Sequence, residues 1–286
     1  MESMQRTTVV GLVLATCLVS AAIAESRKEF RFTVGPKANI SVETVYGAIT
    51  VKPGSARQVI VVAVIQSSDK VNVDHSQNGS RVEIESHLLP GADRQTGRVD
   101  YELTVPPDAN VNMHSSTGPL TAERLHGDLV LEGADAPVEV RNVSDGHVHI
   151  KTMAGPIRIT DARASHVEIT SISGEVHLTS VSGPLVQVNS GSGKIFFDGD
   201  FGSGGNYNLT TSTGDIEALV PPGTSADFRA HSAHGQAENE FSLQSSSSTS
   251  APTPGNSFVT RFGQAASKVV FRSLGGKIRL KQRSAQ

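Results

Sequence analysis

Two columns of apolar pairs recur on one beat, and this restricts the fold more than any other property of the chain. A unit of small residue–x–apolar–x–apolar begins at Gly118, Ala136, Gly155, Gly174, Gly193 and Gly214, in steps of 18, 19, 19, 19 and 21 residues. A weaker copy follows at Gly235. Between these copies lies a second series, Leu129/Leu131, Val148/Ile150, Val167/Ile169, Val186/Val188, Tyr207/Leu209 and Phe228/Ala230, in phase with the first. Each pair reads as a strand of period two that points two side chains inward, with Gly/Ser/Asn/Asp turns between strands. One such repeat cannot bury its apolar face alone, whereas stacked repeats share a continuous core. The spacing therefore predicts an all-β chain: a single-stranded parallel β-solenoid (β-helix) of about 19–21 residues per coil. Short strands at this density would otherwise suggest an antiparallel β-sandwich, the alternative fold.

The beat is less regular before residue 110. Gly47-Ala-Ile49-Thr-Val51 matches the unit, Val59 to Ile65 reads as a strand buried on both faces, and Asn78-Gly79 marks a hairpin. The resulting division is a signal segment at 1–24, an N-terminal β cap region at 25–110 and solenoid repeats at 111–282. A Ser-rich flexible loop at 242–257 bulges from one coil, because the beat resumes with Val269/Phe271 and Ile278/Leu280. Glycine at the head of each unit suits a corner that needs positive φ or close backbone approach. Met153, Ile172 and Val181 are expected to fill the corners from inside.

The first 24 residues carry Arg6, a short apolar run from Val9 to Val19, and small residues ending Ala22-Ile23-Ala24. This is the pattern of a cleaved secretory signal peptide, and the apolar run is shorter than a membrane span. The expected location is exported: periplasmic, outer-surface or extracellular, in a bacterium. Cys17 is the single cysteine, so cleavage after Ala24 removes it, and the mature chain has neither thiol nor disulfide. Leu14-Ala15-Thr16-Cys17 only loosely matches a lipidation box. No later run predicts a transmembrane segment. A formal net charge of −3 argues against nucleic acid as a partner, and 37% hydrophobic residues argue against wholesale disorder.

The leader, the irregular β N-terminal part, the segment Val105-Pro106-Pro107-Asp108-Ala109 and the iterated strand unit together resemble the bacterial putative-adhesin family of β-strand-repeat envelope proteins, a domain of unknown function. The resemblance spans residues 35 to 282 and implies an exported β-helix protein without an established enzymatic activity.

Two clusters could carry chemistry. If Val148/Ile150 and Val167/Ile169 point inward, then His147, His149, His166 and Glu168 point outward on adjacent coils, with His147 over His166 and His149 over Glu168. Imidazoles beside a carboxylate suit Zn²⁺ or Cu²⁺, so these four are the candidate metal ligands, set against a solvated polar ladder. Asp198, Asp200, Asp215 and Glu217 could bind Ca²⁺ or supply an acid/base pair for a polysaccharide. Ser190-Gly191-Ser192-Gly193-Lys194 ends like a phosphate loop but lacks its first glycine and its closing Ser/Thr. The balance favours a non-catalytic, adhesin-like binding or scaffolding protein with no cofactor. Its partner would be a glycan, a protein or a cell-envelope component, met by outward residues such as Thr121, Glu139, Arg158, His177 and Glu217. The alternatives are a polysaccharide lyase or hydrolase on a β-helix scaffold and a periplasmic metal-binding protein.

Overall fold

A computed structural model describes residues 25–35, 37–202, 204–241 and 255–283. The signal segment at 1–24, with Cys17, and residues 242–254 of the Ser-rich segment lie outside the described residues. The described chain forms 24 strands in two sheets of twelve, here sheet I and sheet II. Through the middle of the molecule the chain alternates between them. Sheet II takes β8 (Asn110–Ser115), β10 (Leu129–Gly133), β12 (His147–Thr152), β14 (His166–Ser171), β16 (Leu185–Ser190) and β18 (Asn206–Thr211). Sheet I takes β9 (Leu120–Glu123), β11 (Val138–Ser144), β13 (Ile157–Arg163), β15 (Val176–Val181), β17 (Ile195–Asp198) and β19 (Ile216–Val220). All neighbours in this stretch pair in parallel, which is the β-solenoid and not the sandwich.

Register follows the sequence beat. In sheet I, Leu120, Val138, Ile157, Val176, Ile195 and Ile216 stand one above another. In sheet II the corresponding column is Val111, Leu129, Val148, Val167, Val186 and Tyr207. All of these are buried, and the two inner faces form one core. Toward the C-terminal end the aliphatic columns give way to aromatics. Phe201 packs on Phe197, Tyr207 and Phe228 with ring centroids 5.0, 5.3 and 4.8 Å away. The residues around Phe201 explain why the step there lengthens from 19 to 21.

The two corners of a coil are built differently. At the corner from sheet II to sheet I, a Ser or Thr stands three residues before the small residue: Ser115/Gly118, Thr152/Gly155, Ser171/Gly174, Ser190/Gly193 and Thr211/Gly214. These hydroxyls are buried and hydrogen-bonded to the corner backbone. Thr152, Ser171 and Ser190 donate to the carbonyls of Gly155, Gly174 and Gly193 at 3.1, 3.2 and 3.0 Å. Ser115 and Thr211 accept from the N–H of Gly118 and Gly214. The inward corner position is thus polar. Met153 and Ile172 follow it and turn out to solvent, 55% and 58% exposed, contrary to their expected place inside; Val181, at the other corner, is buried. The glycine is demanded by close approach: a Cβ on Gly174 would lie 2.1 Å from the carbonyl oxygen of Gly155, and one on Gly155 1.9 Å from that of Ala136. Where alanine replaces the glycine, at Ala136, the hydroxyl residue is also replaced, by Gly133, whose own Cβ would meet that of Ala136 at 2.6 Å. At the opposite corner Arg124, Asn142, Asp161 and Ser180 adopt positive φ of 53–58°, which turns Leu125, Val143, Ala162 and Val181 inward.

At both ends the spatial order of coils departs from chain order. The first coil, β2 (Asn39–Thr44) with β3 (Ile49–Pro53), lies between β8–β9 and a coil made of β6 (Arg81–Leu88) and β7 (Val99–Val105). Three antiparallel strands close that end. β4 (Gln58–Ile65) pairs with β7, β1 (Ser26–Thr33) with β4, and β5 (Val71–Asn78) with β6 across the Gly79-Ser80 turn. At the other end, β23 (Ser267–Ser273) and β24 (Ile278–Gln282) insert between β18–β19 and the earlier coil of β20 (Ala226–Ser232) and β21 (Ala237–Asn239). The antiparallel strand β22 (Ser257–Phe262) then covers β20. The sequence beat alone stacks the Gly235 copy directly on the Gly214 copy; in the structure Gly276 sits on Gly214, and Gly235 on Gly276.

Ile157→Asp should unfold or severely destabilise the protein, by about 4 kcal/mol, because it leaves a buried charge unpaired, whereas Arg158→Asp should change stability by about 0.5 kcal/mol or less. Chemical denaturation of the two variants checks the inward and outward phase. At the exceptional corner, Gly133→Ser alone should cost about 2 kcal/mol through its clash with Ala136, and adding Ala136→Gly should recover most of it in a double-mutant cycle.

Candidate binding surface

With the inward columns fixed, every alternate residue lies on one of two long outward faces. On sheet II the outward columns carry a polar ladder. The Asn110 amide donates to the Asn39 side-chain oxygen at 3.1 Å, and the Asp128 backbone N–H to the Asn110 side-chain oxygen at 3.0 Å. The His147 backbone N–H donates to the Asp128 carboxylate at 2.9 Å. The ladder then reaches the histidines. His147 Nε2 and His166 Nδ1 are 3.2 Å apart with the rings edge to face, so one ring donates and the other accepts. In the next column His149 Nδ1 lies 3.5 Å from the Glu168 carboxylate. The structure therefore joins the four residues as two separate pairs, in the register that the 19-residue step gives. Among the described residues no three His, Cys, Asp or Glu side chains form a group that could hold a metal ion.

On sheet I the central outward column runs Thr50, Thr121, Glu139, Arg158, His177, Phe196, Glu217, Arg279 and Glu238, one residue per coil. Beside its first half, Pro119, Pro137 and Pro156 form an exposed row; they need no N–H, since each serves its neighbour through the carbonyl. Glu139 holds Arg141 at 2.5 Å, and that hydrogen bond and charge push the guanidinium further toward its protonated form.

The acidic cluster does come together, on the C-terminal half of this face, but it is engaged. Asp215 accepts from the Lys277 N–H at 2.8 Å and faces Arg279 at 3.6 Å. Glu217 lies 3.3 Å from Lys281 and 3.8 Å from Arg279. Asp198 accepts from Arg283 Nε at 2.6 Å, and Asp200 stands 3.6 Å from the same side chain. The cations all project from β24 and the residues flanking it, which also meet Glu238 of β21 through Lys277 at 2.5 Å. This charge pattern gives a physical reason for the inserted last coil. Stacking β21 directly on β19 would set Glu238 against Glu217 as cross-strand neighbours, whereas β24 between them places Arg279 next to both.

Lys277-x-Arg279-x-Lys281-x-Arg283 reads from sequence as an alternating strand, but its pairing with the acidic residues does not, and the column of Ser/Thr three residues before each corner glycine went unread. No described helix is long and apolar enough to cross a membrane.

Comparison with known proteins adds the following. Residues 38–257 match the model of the family described as Toastrack DUF4097. No curated protein matches the chain. Among solved structures, it is similar to a putative adhesin from Bacteroides fragilis at 12% identity, covering 90% of this chain and 98% of that one with a TM-score of 0.45. It is also similar to a putative adhesin from Parabacteroides merdae at 13% identity, covering 90% and 96% with a TM-score of 0.38. A putative cell adhesion protein from Clostridium sporogenes shares 11% identity over 90% and 100%, with a TM-score of 0.27.

Arg279→Glu should lower stability by about 2 kcal/mol, because it sets a like charge among Asp215, Glu217 and Glu238, while Arg279→Met should cost about half as much. Thermal denaturation at low and high salt checks this: screening should narrow the gap between the two variants.

Proposed function

This chain belongs to the Toastrack DUF4097 family, and we propose that it is an exported, non-catalytic, adhesin-like envelope protein that binds or scaffolds a partner across the outward faces of its solenoid. The observation that carries this reading is the state of the four carboxylates best suited to acid/base work. Asp198, Asp200, Asp215 and Glu217 each face a basic group of the chain's own last coil, and those pairs hold the stack in order. A general acid or base needs a carboxyl group free to exchange its proton with substrate, and all four stand beside cations of the chain, with Asp200 the most exposed of them. What repeats instead is a surface: columns of Thr, Asn, Glu, Arg and His presented coil after coil at about 4.8 Å spacing. Such a surface gains affinity from many modest contacts spread over several strands.

Export is supported by the Arg6, Val9–Val19 and Ala22-x-Ala24 pattern. The partner follows from that address, as a glycan, protein or other component of the cell envelope. Purified protein incubated with isolated bacterial envelope fragments and a panel of neutral and acidic glycans should show saturable binding and no release of new sugar ends. Turnover of any glycan that disappears in Asp215→Ala would overturn the non-catalytic reading in favour of a lyase or hydrolase.

A further inference from the structure

The outward face of sheet II does not stay flat. Where β18, β23, β20 and β22 lie side by side it forms a hollow of about 650 Å³, lined among others by Asn206, Asn208, Arg229, His231, Lys268 and Arg272. Register places these groups on a grid. Asn206, Lys268, Asp227 and Arg261 share one row, Asn208, Val270, Arg229 and Val259 the next, and Thr210, Arg272, His231 and Ser257 the third.

The charge on this grid differs from that on the rest of the surface. The basic groups of the last coil on sheet I, Lys277, Arg279, Lys281 and Arg283, all have carboxylate partners. In the hollow, Arg229 holds Asp227 at 3.1 Å, and no other carboxylate stands on the grid. Lys268, Arg272 and the adjacent Arg261 form no ion pair among the described residues. Four cations, Lys268, Arg272, Arg229 and the adjacent Arg261, thus stand against one carboxylate, Asp227, on adjacent strands of a chain whose formal net charge is −3. Concave walls focus such a field and favour an anion there above other parts of the surface.

Spacing decides what kind of anion. Lys268 and Arg272 are four residues apart on one strand, about 13 Å, and Arg229 lies one strand over, beside the midpoint. One phosphate or sulfate cannot reach all three, whereas a chain with charges at intervals can. The neighbouring ladder on β18 and β16 offers uncharged amides and hydroxyls, with Asn208 beside Gln187 and Thr210 beside Asn189. These groups both donate and accept, as sugar hydroxyls do. We infer that this hollow is the binding site for an acidic polysaccharide, a sugar chain bearing carboxylate or sulfate groups, laid across β23 and β20. The inference rests on the binding-protein reading above and gives that surface a place and a ligand class.

The test is calorimetric titration of the purified mature chain with oligogalacturonate, a sulfated glycosaminoglycan oligomer, neutral dextran and polyglutamate. Two charge-reversal variants of equal net change are compared: Lys268→Glu/Arg272→Glu in the hollow, and Arg57→Glu/Arg94→Glu in exposed loops near the N-terminal end of the stack, where neither residue forms an ion pair among the described residues. Both folds are verified by their denaturation curves. The expected result is binding of at least one acidic glycan, weakened tenfold or more in the first variant and unchanged in the second; the carboxylated and sulfated arms tell which group is read. Equal weakening in both variants would overturn the site, and polyglutamate binding as tightly as the glycans would overturn the ligand class. Absence of acidic-glycan binding would also overturn it. In that case, envelope fragments still captured by the wild type and by Lys268→Glu/Arg272→Glu would leave the broader binding reading standing.

Discussion

At one corner of the coils, Ala136 excepted, the α-carbon of a glycine lies so near the carbonyl oxygen of the coil it stacks on that a methyl group would sit about 2 Å from that oxygen. The rest of the structure depends on this approach. It lets successive backbones hydrogen-bond in register, which keeps each inward side chain over its counterpart. Those columns in turn fix which residues look outward. The buried Ser or Thr three positions earlier ties the same corner to its own backbone, so that the tightest part of the coil is also the part with its polar groups satisfied. Ala136 and Gly133 show the two requirements trading against each other within a single corner.

The apolar columns and the outward charges both set the order of the last coils. Ile278 and Leu280 of β24 continue the columns above Ile216 and Ala218, where β21 would bring only Ala237 and Asn239. The row of lysine and arginine on β24 belongs between two acidic strands, and that is where it lies. The same strand sets the four carboxylates that stand out in the sequence, Asp198, Asp200, Asp215 and Glu217, beside the chain's own cations.

The repeat itself was legible because strand periodicity is local: every second residue faces in, and steps of 18 to 21 residues, most of them 19, keep the face. That is enough to place His147 against His166 and His149 against Glu168 before any coordinates. Three things were not legible from the beat. Met153 and Ile172 look like core residues by type, but the hydroxyl ahead of each already occupies the inward position. The order of the terminal coils does not follow from the step count, because it rests on which side chains meet across strands far apart in sequence, Ile278 and Leu280 against Ile216 and Ala218 inside and Arg279 against Glu217 and Glu238 outside. The basic hollow depends on that order, since it brings Lys268 and Arg272 of β23 beside Arg229 of β20.

The first and last described strands differ in how they are held. β1 is an edge strand, paired on one side only, so a pull on the N-terminal end can open its hydrogen bonds one after another like a zip. β24 is paired on both sides, with β19 and with β21. Tension on the C-terminal end along that strand must shear two ladders and the ion pairs above them together. For the same pull along its axis, β24 is therefore held by twice as many ladders as β1.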